Sequence, residues 1–188
     1  ECANGVEAVK AIEELNPGVV NTLVMGPWVH GGWARAEGDR LGMAQFGSKT
    51  SEFYRESIEL PFFNCFLKDV CGDPLPEAYV FETGANEWRR FETWPPKGIE
   101  HRDLYFQSGG GLSYEAPSGA SEVYDEYVSD PAKPVPFTEA VAKEMTTEYM
   151  IDDQRFASRR PDVVTYQSEV LLEGLTLAGP IEAELWVS

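Results

Sequence analysis

The chain changes character near residue 73, and that change limits the folds open to it. Before residue 73 the apolar residues recur at helical and buried-strand spacing. After it they fall into short alternating runs separated by Gly and Pro. The first pattern belongs to an α/β domain and the second to a β-sandwich or jelly roll. The chain is therefore expected to hold an α/β part over residues 1–73 and an all-β part over 74–188. The boundary falls in "CGDPLPE" at 71–77.

In the first part, "NGVEAVKAIEEL" at 4–15 is amphipathic. Val6, Ala8, Val9, Ala11, Ile12 and Leu15 share a broad face. Asn4 is placed to cap this helix, and Pro17 prevents its continuation. Residues 21–25 read as a short buried strand ended by Gly26-Pro27, and 31–50 as Gly-rich loop. A second helix is expected at 61–70, with Pro61 at its first position and Gly72 beyond its end. In the second part, strands are expected at 78–83, 87–91, 103–107, 122–128, 163–170 and 181–187. The last alternates most cleanly, with Ile181, Ala183, Leu185 and Val187 on one face. Because the sequence stops on that strand, it is expected to be a segment of a larger protein, cut at both ends.

Bulk properties exclude some partners. The 15 basic and 32 acidic residues give a net charge of −17, spread along the chain instead of gathered in runs. A nucleic-acid partner needs a basic stripe, and an anionic membrane surface disfavours such a protein for the same reason. No apolar run approaches the ~20 residues of a membrane span. Cys2, Cys65 and Cys71 have no metal-ligand spacing and are read as free thiols, with a Cys65–Cys71 bridge left open. No metal and no cofactor is implied. Compartment and oligomeric state stay open, a homo-oligomer included.

The chemistry concentrates at "LVMGPWVHGG", residues 23–32, which holds one of only two histidines. His30 follows the end of a strand by a few residues, where open α/β sheets place functional groups. Gly26, Gly31 and Gly32 let the loop turn sharply and let another group approach. An imidazole held there suits a general base near neutral pH; the plainer alternative is a loop histidine bonded to backbone. Trp28 and Trp33 either wall a substrate pocket beside it or pack an interface.

The histidine segment is followed in order by "ELPFFNCFLK", "PEAYVFETGANEWRRFETWPP", "LYFQSGGGLSYEAP" and "QRFASRRPDVVTY". Together these resemble the bacterial serine hydrolases grouped with cocaine esterase, α-amino acid ester hydrolases, glutaryl-cephalosporin acylases and X-Pro dipeptidyl peptidases. The resemblance implies the C-terminal piece of an α/β-hydrolase sheet followed by a partial jelly roll. It also implies that Gly26, Pro27, Trp28, His30 and Gly31 form the Gly-Pro-Trp-x-His-Gly motif carrying the triad histidine. In the order nucleophile, acid, histidine, the serine and aspartate lie upstream of residue 1, as do the oxyanion donors. No Gly-x-Ser-x-Gly occurs in the 188 residues. The implied activity is cleavage of a small ester, amide or peptide through an acyl-enzyme, with the missing upstream portion as the essential partner. The isolated segment is expected to be inactive.

Glu1 matches a carboxylate that holds the substrate ammonium group in α-amino acid ester hydrolases, but Cys2 stands where that subgroup has an acid. A helix-start glutamate favoured by the dipole is the simpler reading of Glu1. His101 is expected at the surface. Asp152-Asp153 lacks metal-ligand spacing, and Arg159-Arg160-Pro161-Asp162 reads as an ion-pair brace between domains. The competing function is a carbohydrate- or ligand-binding β-sandwich without catalysis, using Trp88, Trp94 and Trp186 as exposed aromatics.

Overall fold

A computed structural model describes residues 2–118, 124–144 and 146–188. By compactness it divides into two units. One holds the residues up to Gly98 together with Ala178–Ser188, and the other holds Ile99–Leu177.

In the first unit, α1 (Cys2–Leu15) begins two residues earlier than the sequence suggests, so Asn4 lies inside its first turn instead of capping it. Pro17 stops the helix as expected, since it offers no N–H to continue the ladder. Val6 and Val9 are half-buried, whereas Ile12 and Leu15 at the far end of the face are exposed. Asn21 ties the following turn back to α1, donating to the Val9 carbonyl at 3.2 Å and to Glu13 at 3.3 Å.

Strand β1 (Leu23–Met25) pairs in parallel with β4 (Ala78–Glu82) in the register Leu23↔Ala78, Val24↔Tyr79, Met25↔Val80. β4 then turns back through Gly84 and Asn86, both at positive φ, into antiparallel β5 (Glu87–Phe91). One sheet thus joins residues on both sides of the 71–77 linker. The change in composition near residue 73 and the change in compactness after Gly98 are two separate boundaries. Backbone pairing with β1 places the β4–β5 hairpin in the same unit as the residues before the linker.

The stretch expected to be loop at 31–50 carries a helical turn α2 (Gly32–Arg35) and a small ladder of β2 (Arg40–Leu41) with β3 (Ala44–Gln45). The second helix starts at residue 50, not 61. It runs as α3 (Thr50–Tyr54), a π-helical turn (Arg55–Glu59) and α4 (Leu60–Lys68). Pro61 sits within this run because the wider π turn, in which Leu60 N–H bonds the Arg55 carbonyl, opens the ladder ahead of it. Asp69, at φ 55°, takes the left-handed position that ends α4, nearer than the expected Gly72. Cys65 and Cys71 form a disulfide, which corrects the reading of both as free thiols. The αL turn at Asp69 brings their Cα atoms to 4.1 Å.

The core of this unit is aromatic. Trp88 packs against Phe53 at 5.3 Å, Phe81 at 5.5 Å, Trp28 at 5.8 Å and Tyr79 at 6.2 Å between ring centroids. Phe81 in turn meets Phe46 at 5.6 Å. Leu23, Ile58 and Ala78 close the remainder.

In the second unit, β6 (Tyr105–Gln107) and β7 (Gly111–Ser113) form a hairpin through Gly109 and Gly110 at positive φ. β8 (Gln167–Ser168) joins β7 in parallel. A 3₁₀ turn (Thr147–Met150) and α5 (Arg155–Ser158) lie between them. Beyond Lys68 the regular structure among the described residues is mostly β, with these short helical pieces. Several expected strands are reduced, 103–107 to Tyr105–Gln107 among them. Residues 163–170 pair only at 167–168, and 181–187 form no ladder among the described residues. Of 122–128, Glu122 and Val123 lie outside the described residues, and 124–128 form no ladder among the described residues. A strand pattern supplies a face but not the neighbour that a ladder requires.

Candidate active-site loop

His30 lies beyond the carboxyl end of β1, on the loop that runs from Gly26 to Gly38. Its side chain is exposed, with its ring nearly perpendicular to that of Trp33, centroids 6.0 Å apart and an interplanar angle of 82°. The turn is built from small residues for steric reasons. The Trp28 ring lies over the Cα of Gly26, where a Cβ would overlap it. Gly31 has φ 74° and stands against the Arg35 guanidinium, and a Cβ on Gly32 would come within 3.1 Å of Trp28 Cβ. Gly38, at φ 78°, would place a Cβ 2.5 Å from the Ser51 backbone nitrogen. At Gly38 a side chain would need both a left-handed backbone and a displaced Ser51, and at Gly26 it would displace the Trp28 ring.

The loop is held from one side by the start of the 50–68 helix. Thr50 donates to the Gly38 carbonyl at 2.6 Å and accepts from Trp28 Nε1 at 2.8 Å. Ser51 donates to the Gly32 carbonyl at 3.3 Å. Arg55 Nη1 donates to the Trp33 carbonyl at 2.7 Å and to the Ala36 carbonyl at 3.0 Å, closing the C-terminal end of α2. The Ser51 backbone N–H reaches the Glu37 carbonyl at 3.0 Å. At the rim, Lys49 bridges Glu52 at 3.0 Å and Glu37 at 3.2 Å, and these two carboxylates raise its ammonium pKa. Tyr54, packed on Trp28 at 5.2 Å, has its phenol pKa pushed up by burial and then by Glu59, to which it donates at 3.3 Å.

Sequence reasoning singled out His30, Trp28 and Trp33, and the fold brings these three together: Trp28 and Trp33 stand 6.5 Å apart between centroids. Trp28 is half-buried and engaged on both its ring and its N–H. Glu1 lies outside the described residues. Thr50, Ser51 and Arg55 were not foreseen. Hydroxyls at a helix start read as ordinary capping composition, and only their burial at 0% exposure distinguishes Thr50 and Ser51.

The remaining candidates each have their own surroundings, and His101, Asp152, Asp153 and Arg160 belong to the 99–177 unit. His101 is exposed. Asp152 accepts from Thr138 at 2.6 Å and Asp153 pairs with Arg155, which lowers its pKa. No cluster able to hold a metal ion occurs among the described residues. Arg160 pairs with Asp162, two residues on, and reaches the Lys133 carbonyl at 3.1 Å, so the expected brace acts inside the 99–177 unit. Of the tryptophans expected to be exposed, Trp88 is in the core and Trp94 packs on Phe91 at 5.5 Å; Trp186 is exposed. An aromatic on a strand flanked by Arg and Glu looks solvent-facing in sequence, but alternation turns Trp88 inward opposite Phe81.

Residues 72–188 match the X-Pro dipeptidyl-peptidase C-terminal non-catalytic domain. The chain belongs to this family. Cocaine esterase from Rhodococcus sp. (strain MB1 Bresler) is 30% identical over 179 residues, covering 88% of this chain and 30% of the esterase. Among solved structures, an α-amino acid ester hydrolase labelled with selenomethionine superposes with TM-score 0.81 at 34% identity, covering 95% of this chain and 31% of that one. An aminopeptidase from the marine sediment archaeon Thaumarchaeota archaeon gives TM-score 0.76 at 38% identity, covering 88% and 28%. The group reached from the sequence motifs is the group these comparisons return. The chain spans about 30% of the length of the curated relative it matches. The match to the PepX C-terminal family starts at residue 72, so the His30 loop precedes it.

Proposed function

We propose that this chain is part of a serine hydrolase that cleaves ester or amide bonds through an acyl-enzyme, of the glutaryl-acylase or amino-acid-ester-hydrolase type, with His30 as its general base. The observation that carries the reading is the Gly-Pro-Trp-Val-His-Gly loop, which leaves the β1 end with His30 exposed while its backbone is pinned by Thr50, Ser51 and Arg55. A backbone so fixed beneath an exposed imidazole is what general-base chemistry requires.

In this reading the catalytic serine, its aspartate and the oxyanion donors come from a part of the protein upstream of these residues. His30 takes the serine proton as the acyl carbon is attacked and gives it to the leaving group. It then activates the water that releases the acyl group. Trp33, its ring nearly perpendicular to that of His30, and Trp28 form the nearest apolar wall for a substrate, and Glu1 is the candidate partner for a substrate ammonium group. Residues 1–73 belong to an α/β-hydrolase sheet that the β4–β5 hairpin joins through β1, and the rest of 74–188 belongs to a jelly roll. The family match beginning at residue 72 supports that division.

The test is hydrolysis of a p-nitrophenyl ester by these 188 residues alone and together with the upstream portion. Alone, the segment contributes only the base, and no turnover is expected. With the upstream portion, turnover sensitive to a serine-directed inhibitor is expected. Inhibitor-sensitive turnover by the segment alone would overturn the assignment.

A further inference from the structure

We propose that Thr50 is a positioning residue for His30, holding the loop of the base in its reactive geometry through a relay from the Trp28 indole to the Gly38 carbonyl. The inference rests on the reading of His30 as the general base. Thr50 and Ser51 are the largest fully buried side chains among the described residues, each at 0% exposure. Fully buried positions ordinarily go to aliphatic side chains, because an unsatisfied hydroxyl there costs about 1–3 kcal/mol. Here both hydroxyls are satisfied, and both bonds go to the histidine loop.

The direction of the relay is fixed by chemistry. An indole N–H only donates, so Thr50 Oγ1 accepts at 2.8 Å and must send its own proton to the Gly38 carbonyl at 2.6 Å. A valine has the same shape and can do neither. At the other end of the relay, the Trp28 ring covers Gly26 and its Cβ approaches Gly32. The Trp28 side chain therefore packs on both glycines that bracket residues 27–31, on Gly26 through its ring and on Gly32 through its Cβ. Letting it rotate moves the backbone that carries the imidazole. Thr50 itself stands at the start of a helical run, a rigid base for this hold.

The experiment uses the whole protein that contains this segment, with kcat and KM measured on a p-nitrophenyl ester. Competent sites are counted with a serine-directed fluorophosphonate. Thr50→Val is expected to lower kcat per competent site about tenfold with KM within about twofold. Thr50→Ser, which keeps the hydroxyl, is expected to stay within about threefold of the parent. Trp28→Phe keeps an aromatic ring and removes the N–H. It should lower kcat about threefold with KM held, and add little to Thr50→Val, since both cut the same relay. Unchanged kcat per site in Thr50→Val would overturn the proposal. If Thr50→Val does not fold, Trp28→Phe decides: unchanged kcat, or a change in KM alone, overturns it. His30→Ala separates the two levels. An active His30→Ala breaks the reading of the base, whereas an inactive one beside an unaltered Thr50→Val breaks only the relay.

Discussion

The loop from Gly26 to Gly38 and the stretch 181–187 are opposites. The loop has little regular backbone and no hydrophobic period, yet the carbonyls of Gly32, Trp33, Ala36, Glu37 and Gly38 all have partners on the 50–55 segment. The 181–187 stretch has the cleanest alternation in the chain, yet no ladder among the described residues, and Ile181 is 84% and Val187 88% exposed. Order in the first is supplied by polar side chains from a helix 12 to 22 residues further along the chain. In the second, the pattern states which face needs covering and supplies no cover. A repeat of hydrophobicity predicts a face; fixed geometry comes from satisfied polar groups.

This contrast can be broken most forcefully at Gly38. In the whole protein, Gly38→Ala should lower stability by about 2–5 kcal/mol, from a left-handed φ and from the clash with Ser51. Gly84→Ala shares the positive φ but meets nothing within 4 Å and should cost only about 1–2 kcal/mol. Denaturant midpoints compare the two, and equal losses would mean that the loop is not packed as described. Next comes Arg55→Met, which strips two carbonyls of a charged donor and should cost about 1.5–3 kcal/mol. Trp186→Ala measured in this segment alone should change stability by no more than about 0.5 kcal/mol, since the ring is 96% exposed. A larger loss would show that the stretch is covered.

The smallest effect concerns pH. Arg160 holds the Asp162 carboxyl below its ordinary pKa of 3.8, first by hydrogen bonding. A carboxylate whose pKa is depressed in the folded state stabilises it above the unfolded pKa, and that contribution is lost as pH falls through the lower folded value. Thermal midpoints near neutral pH and at about pH 3 should therefore converge between the parent and Asp162→Asn on acidification. A gap that persists would place the effect outside this ion pair.

Much of the site was legible in sequence, and the parts that were not have physical causes. α1 and β1 announced themselves through spacing, and the histidine loop through glycines at positions where a Cβ would clash. The early start of the second helix was hidden because Pro61 reads as a helix beginning, and a π turn that accommodates it leaves no compositional mark. The disulfide was hidden because two cysteines six apart say nothing without the turn at Asp69 that brings them together. Thr50 and Ser51 were hidden because their importance lies in burial, and burial of a hydroxyl has no sequence period. The sheet joining β1 to β4 was hidden because parallel pairing is long-range and its partners share no local pattern.

The central claim is that His30 is the base of an acyl-transfer reaction, and the most direct measurement is turnover of a small activated ester by His30→Ala in the whole protein. His30 is exposed and lies outside the core, so the variant should keep the fold. The account predicts a kcat lower by several orders of magnitude with the fold intact. Near-normal turnover by the folded variant would contradict it.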